Sequence, residues 1–97
     1  MMALKTLHIL NKSPAHSRFQ LCLSAVGPED GLLLIENGVL AVAQPPENLE
    51  TLERAQCFAL GPDLEARGLT VKPGRVQSVS FEQMVELTAA AENVISW

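Results

Sequence analysis

Leu32-Leu33-Leu34-Ile35 is an unbroken apolar run of four residues. It lacks polar alternation, so it reads as a strand buried on both faces, the signature of a parallel sheet. Glu36-Asn37-Gly38 ends it. Parallel neighbours need crossover connections, and the flanking sequence supplies them. Upstream, Leu4 to Leu10 reads as a first strand. Asn11-Lys12-Ser13-Pro14 is a turn that doubles as a helix start, with Ser13 as cap and Pro14 at the first helical position. Phe19, Cys22, Leu23 and Val26 then recur at helical spacing, and Gly27-Pro28 stops that helix.

Downstream, Val39 to Ala43 suggests a helical turn broken by Pro45-Pro46, and Asn48 to Ala55 a short surface helix. Cys57-Phe58-Ala59-Leu60 is a third apolar run. Gly61-Pro62 opens a small helix with Asp63 in its first turn, Arg67 in its last as an i, i+4 partner, and Gly68 at its end. Val71 to Gly74 reads as loop and Arg75 to Ser80 as a weak strand. Phe81, Met84, Val85 and Thr88 mark the buried stripe of a last helix running to about Asn93, and Val94 to Trp97 is extended and packed beside it or on a partner. This repeated β-then-α order predicts right-handed crossovers and a parallel sheet with helices on both faces, in one domain spanning residues 1–97.

Composition narrows the function. The net charge of −4 argues against a nucleic-acid-binding surface, and four percent aromatics with no Tyr against a base-stacking platform. No apolar run approaches the ~18 residues of a membrane span. Met1-Met2-Ala3-Leu4-Lys5 has no signal-peptide character, so the chain is read as cytoplasmic, with Cys22 and Cys57 as reduced thiols. Hydrophobic residues are 47% of the chain, with six glycines besides. With the glycines counted, the apolar share is a little above the usual ~45–50%, exceeds what so short a chain buries alone and points to partner subunits.

Most site signatures are missing. There is no phosphate-binding glycine loop and no CxxC, and His8, His16, Cys22 and Cys57 have no metal-ligand spacing; no cofactor is expected. Cys22 is the candidate nucleophile. A thiolate accepts sulfane sulfur as a persulfide and passes it on by the attack that drives thiol–disulfide exchange. It needs access and a lowered pKa. Cys22 lies about two turns into its helix, where the dipole has faded, and His16 sits about 120° away around the axis at ~100° per residue. Arg18 is the one cation on roughly its face. Two readings therefore stand: a sulfur-handling thiol, or a small apolar member of the Phe19–Val26 stripe. Cys57 reads as a core thiol, His8 as a paired core or interface histidine, His16 as exposed, and Asp63 and Arg67 as helix-end structure. Lys12, at the carboxyl end of the first strand where open parallel sheets place their sites, is either a ligand-binding or a solvated lysine.

Leu7-His8 with Asn11-Lys12-Ser13-Pro14, Leu32-Leu33-Leu34 leading into Glu36-Asn37-Gly38-Val39, Leu60 with Asp63-Leu64-Glu65-Ala66-Arg67-Gly68, then Phe81, Val85, Leu87-Thr88 and Trp97 follow one another along nearly the whole chain. In these segments the chain resembles the DsrH/TusB family of small sulfur-relay subunits. The resemblance implies a small three-layer α/β fold, DsrE/F/H-like and flavodoxin-like, with a mainly parallel sheet of about four to five strands. It implies assembly with DsrE/TusD-like and DsrF/TusC-like subunits as a hexamer with two copies of each, the principal sulfur-carrying cysteine lying in the DsrE/TusD-like subunit. Sulfur would leave through a TusE/DsrC-like carrier toward 2-thiolation of the tRNA wobble uridine. In such a relay this chain is an accessory subunit that contacts neither nucleic acid nor membrane directly. Two alternatives remain. In the sulfur-oxidising branch, DsrH proteins resemble this chain in having a first-helix cysteine, which would make Cys22 a persulfide carrier. The other is a flavodoxin-like module that binds a small anion at the strand ends.

Overall fold

The computed structural model describes residues 4–43, 55–71 and 76–97. Five strands form one sheet: β1 (Leu4–Leu10), β2 (Gly31–Leu34), β3 (Gln56–Leu60), β4 (Val76–Val79) and β5 (Ala91–Ser96). All four pairings are parallel, and the spatial order is β4-β3-β2-β1-β5. The helices are α1 (Ser17–Ala25), α2 (Gly61–Ala66) and α3 (Phe81–Ala90), and a 3-10 segment (Glu36–Val42) follows β2.

From β1 to β4 the chain steps across the sheet in one direction, and β5 returns to the far side of β1. Right-handed crossovers then require the returning helix to lie on the opposite face, and it does. Phe19, Cys22 and Leu23 of α1, Val39 and Ala41 of the 3-10 segment and Leu64 of α2 pack on Leu10, Leu32, Leu34, Cys57 and Ala59. Leu87 of α3 packs on Leu4, Leu7, Leu33, Phe58 and Val79. The apolar run of β2 thus feeds both cores: Leu32 and Leu34 point one way and Leu33 the other, and all three are buried. Each such side chain taken from water contributes about 1.5–3 kcal/mol.

Three local expectations change. Helix α1 begins at Ser17, not after Ser13: Ser13, Pro14 and Ala15 form a turn closed by the His16 N–H on the Ser13 oxygen at 2.9 Å. The cap is His16, whose Nδ1 accepts the Arg18 N–H at 3.0 Å. Pro14 suits such a turn because its φ is already set.

The last helix ends at Ala90, and β5 starts there without a loop. The stripe it turns to the sheet is Leu87, buried, with the half-buried Met84 and the following Ala91. Phe81 (55% exposed) and Val85 (62%) lie outside it. One helix on a sheet buries only an arc of about 100°, and at ~100° per residue these two sit about 60–100° beyond Met84. Val94 and Ile95, on the β5 edge, are also exposed.

Arg67 does not pair with the Asp63 carboxylate. Its guanidinium donates to the Asp63 main-chain oxygen at 3.3 Å and to Asn37 Oδ1 at 3.1 Å. The helix expected over Asn48 to Ala55 lies almost wholly outside the described residues, as does most of the loop expected at Val71 to Gly74. No helix among the described residues is long and apolar enough to cross a membrane.

Candidate functional site

Cys22 stands on the inner face of α1 because the stripe Phe19–Cys22–Leu23 is what that helix buries. It is fully buried in the first core cluster, and Cys57 of β3 lies in the same cluster. Burial first, and then the neighbouring Cys57, push the Cys22 thiol up to about 12. Sulfur transfer needs the thiolate, and at neutral pH a thiol of this kind holds its proton. Arg18 does not offset this: it is exposed, on the solvent side of the helix. In this conformation Cys22 meets neither of the two conditions, access and a lowered pKa, that persulfide chemistry sets.

The carboxyl ends of the strands carry a cross-tied polar cluster. Lys12 Nζ donates to Asn11 Oδ1 at 2.5 Å and to the main-chain oxygen of Trp97 at 2.9 Å, so its ammonium joins the end of β1 to the end of β5. Asp63 Oδ2 accepts the Glu36 N–H at 2.7 Å, and Arg67 holds Asn37. Together they pin the turn after β2. Glu36 there has a positive φ of 49°, a conformation costly for a residue with a Cβ. The turn must also clear β1. A Cβ on Gly38 would fall 2.2 Å from the Leu10 oxygen, so only glycine fits.

A third group centres on His8, which is the paired core histidine the sequence suggests, though its partners were not legible there. His8, on β1, is buried, and its ring nitrogens are both engaged. Nδ1 accepts the Trp97 indole N–H at 3.1 Å, and Nε2 lies 3.0 Å from Asp30 Oδ2. Asp30 Oδ2 also accepts the Gly27 N–H at 2.8 Å. Burial pulls the Asp30 carboxyl up, but the Gly27 N–H, the His8 ring and the Thr6 main chain outweigh it and hold it below its usual value. The partners of His8 lie 22 and 89 positions away in the chain, beyond any local pattern. His16, by contrast, is exposed as expected. Among the described residues no three His, Cys, Asp or Glu side chains are grouped to hold a metal ion.

Comparison with known proteins gives a consistent result. A family model described as "DsrH like protein" matches residues 12–94. Protein TusB of Escherichia coli O81 (strain ED1a) is 35% identical over 97 residues, covering 94% of this chain and 99% of that protein. Protein TusB of Pectobacterium parmentieri is 31% identical over 94 residues with the same coverage of each. Two solved structures share the fold: the ychN protein from E. coli (TM-score 0.72, 16% identity, 97% of this chain and 99% of that one) and Tm0979 from Thermotoga maritima (TM-score 0.65, 23% identity, 87% and 91%).

Proposed function

The chain belongs to the DsrH/TusB family, and from that membership we propose that it is an accessory subunit of a sulfur-relay complex that passes persulfide sulfur toward 2-thiolation of the tRNA wobble uridine. Its companions are DsrE/TusD-like and DsrF/TusC-like subunits, and the outgoing sulfur goes to a TusE/DsrC-like carrier. The observation that carries the accessory role is the state of Cys22: fully buried, with its thiol pushed up to about 12. Incoming sulfur is then taken up by a cysteine of another subunit, and this chain contributes structure to the assembly. The exposed Phe81, Val85, Val94 and Ile95 agree with a chain that buries more surface in company than alone.

Reconstitution with the companion subunits tests this. Co-expression should give a stable hetero-oligomer by light scattering, and the Cys22→Ala complex should transfer sulfur at the wild-type rate. A chain that stays separate from both companions, or a Cys22→Ala complex that transfers none while still assembled, would defeat the reading. The latter outcome would favour Cys22 as a carrier in the oxidising branch.

A further inference from the structure

The indole N–H of Trp97 can only donate a hydrogen bond. Its contact with His8 Nδ1 at 3.1 Å therefore fixes that nitrogen as the acceptor. The ring proton must then sit on Nε2, where it points at Asp30 Oδ2, 3.0 Å away. His8 is thus held as a neutral imidazole in a single tautomer, and the His8 and Trp97 rings lie 6.1 Å apart at 29°. Protonation puts a second N–H on Nδ1, directly against the indole N–H, and that hydrogen bond cannot survive it.

We propose that His8 is a proton-sensitive latch: it docks the Trp97 side chain at the end of edge strand β5 while the imidazole is neutral, and releases it when the imidazole is protonated. The groups around His8 set the balance. From the turn before β2, the Asp30 carboxylate stabilises the protonated ring and so favours release. Leu32 on β2 and Ile95 on β5 are its register neighbours and carry no charge. Phe19, Leu23 and Cys22 of α1 belong to the core cluster on which Trp97 packs and carry no charge, Cys22 being a protonated thiol, and Arg18 is exposed. Beyond β1, Lys12 is engaged with Asn11 and the Trp97 main-chain oxygen. Release frees the side chain alone, because the Trp97 N–H still reaches the Ile9 oxygen at 2.8 Å and Lys12 still holds the main chain.

Trp97 is the one tryptophan of the chain, so its indole N–H gives a single resonance in the 15N-labelled full chain, alone or bound to unlabelled companions. The resonance is followed across about pH 8 to 5, where imidazoles change charge. A sigmoidal shift is expected, with the protection of the indole hydrogen relative to its intrinsic exchange rate falling roughly tenfold at the acid end, for loss of one hydrogen bond. The shift should vanish in His8→Asn, whose amide oxygen accepts but does not titrate. It should move to lower pH in Asp30→Asn, which removes the charge that favours the imidazolium. It should persist in His16→Asn, which alters only the other histidine and keeps a capping side chain. A resonance that does not move in the wild-type chain, or a transition that His16→Asn abolishes, overturns the proposal.

Discussion

Gly38 is pressed against the main-chain oxygen of Leu10, so closely that a methyl group on its Cα would fall 2.2 Å from that oxygen. Backbone cannot yield as a flexible side chain can. Gly38→Ala is expected to cost about 3 kcal/mol, at the upper end of the overpacking range. Gly68 gives the contrast: its φ is +65° and a Cβ there would meet nothing within 4 Å. Gly68→Ala therefore meets conformational strain alone, about 1–2 kcal/mol. Urea denaturation of the two variants should rank them in that order, and equal losses would contradict the close approach.

Cys22 gives a prediction at alkaline pH. Its folded value is raised to about 12, above the ~8.5 of an ordinary thiol. Between those values the folded chain keeps a proton that the unfolded chain has lost. The stability this contributes is complete below the unfolded value and falls away as pH rises. Wild type should lose stability above about pH 8.5 more steeply than Cys22→Ala. Alkylation of Cys22 at neutral pH should proceed only as fast as the core opens. Rapid alkylation of the native chain would contradict its burial.

Asp30 acts at the other end of the scale. Burial raises its carboxyl, yet the Gly27 and His8 hydrogen bonds prevail and the net direction is down. In the window below its unfolded value the unfolded chain binds the proton first. Its contribution is therefore present above about pH 4 and lost as pH falls through the folded value. Asp30→Asn should cost about 1.5–3 kcal/mol at neutral pH, as loss of hydrogen bonds to a charged acceptor does, and the gap to wild type should narrow as pH falls below about 4. A gap that stays constant with pH would contradict this.

The buried stripe of α3 is tested by paired truncations. Leu87 is 5% exposed and Val85 62%. Leu87→Ala should cost about 2–5 kcal/mol, and Val85→Ala within about 0.5 kcal/mol in the isolated chain. A reversal in thermal melts would restore the stripe through Phe81 and Val85.

These cases also mark how far the sequence speaks. The run Leu32 to Ile35 announced a parallel sheet because a strand covered on both faces has no polar positions to alternate, and β2 is buried along its whole length. Gly68 announced a helix end because few residues adopt its backbone angle. The phase of α3 was not legible: five apolar residues share one flank, and only the sheet beneath decides which of them it covers. The start of α1 was displaced because Ser13 and Pro14 are as much at home in a turn as in a cap. The His8–Asp30–Trp97 group left no pattern at all, since its members meet only when β1, the turn before β2 and the end of β5 are assembled. For Cys22 the sequence left two readings open, and the helix phase turned it inward onto Cys57.

The accessory role proposed for this chain is tested most directly by the intact mass of every subunit after the reconstituted complex is loaded with a sulfur donor under single-turnover conditions. A sulfur adduct, about 32 Da on the thiol that carries the persulfide, is expected on the DsrE/TusD-like subunit and on the outgoing carrier, with this chain at its unmodified mass. An adduct on this chain, mapped to Cys22 and chased onward to the carrier, would contradict the account.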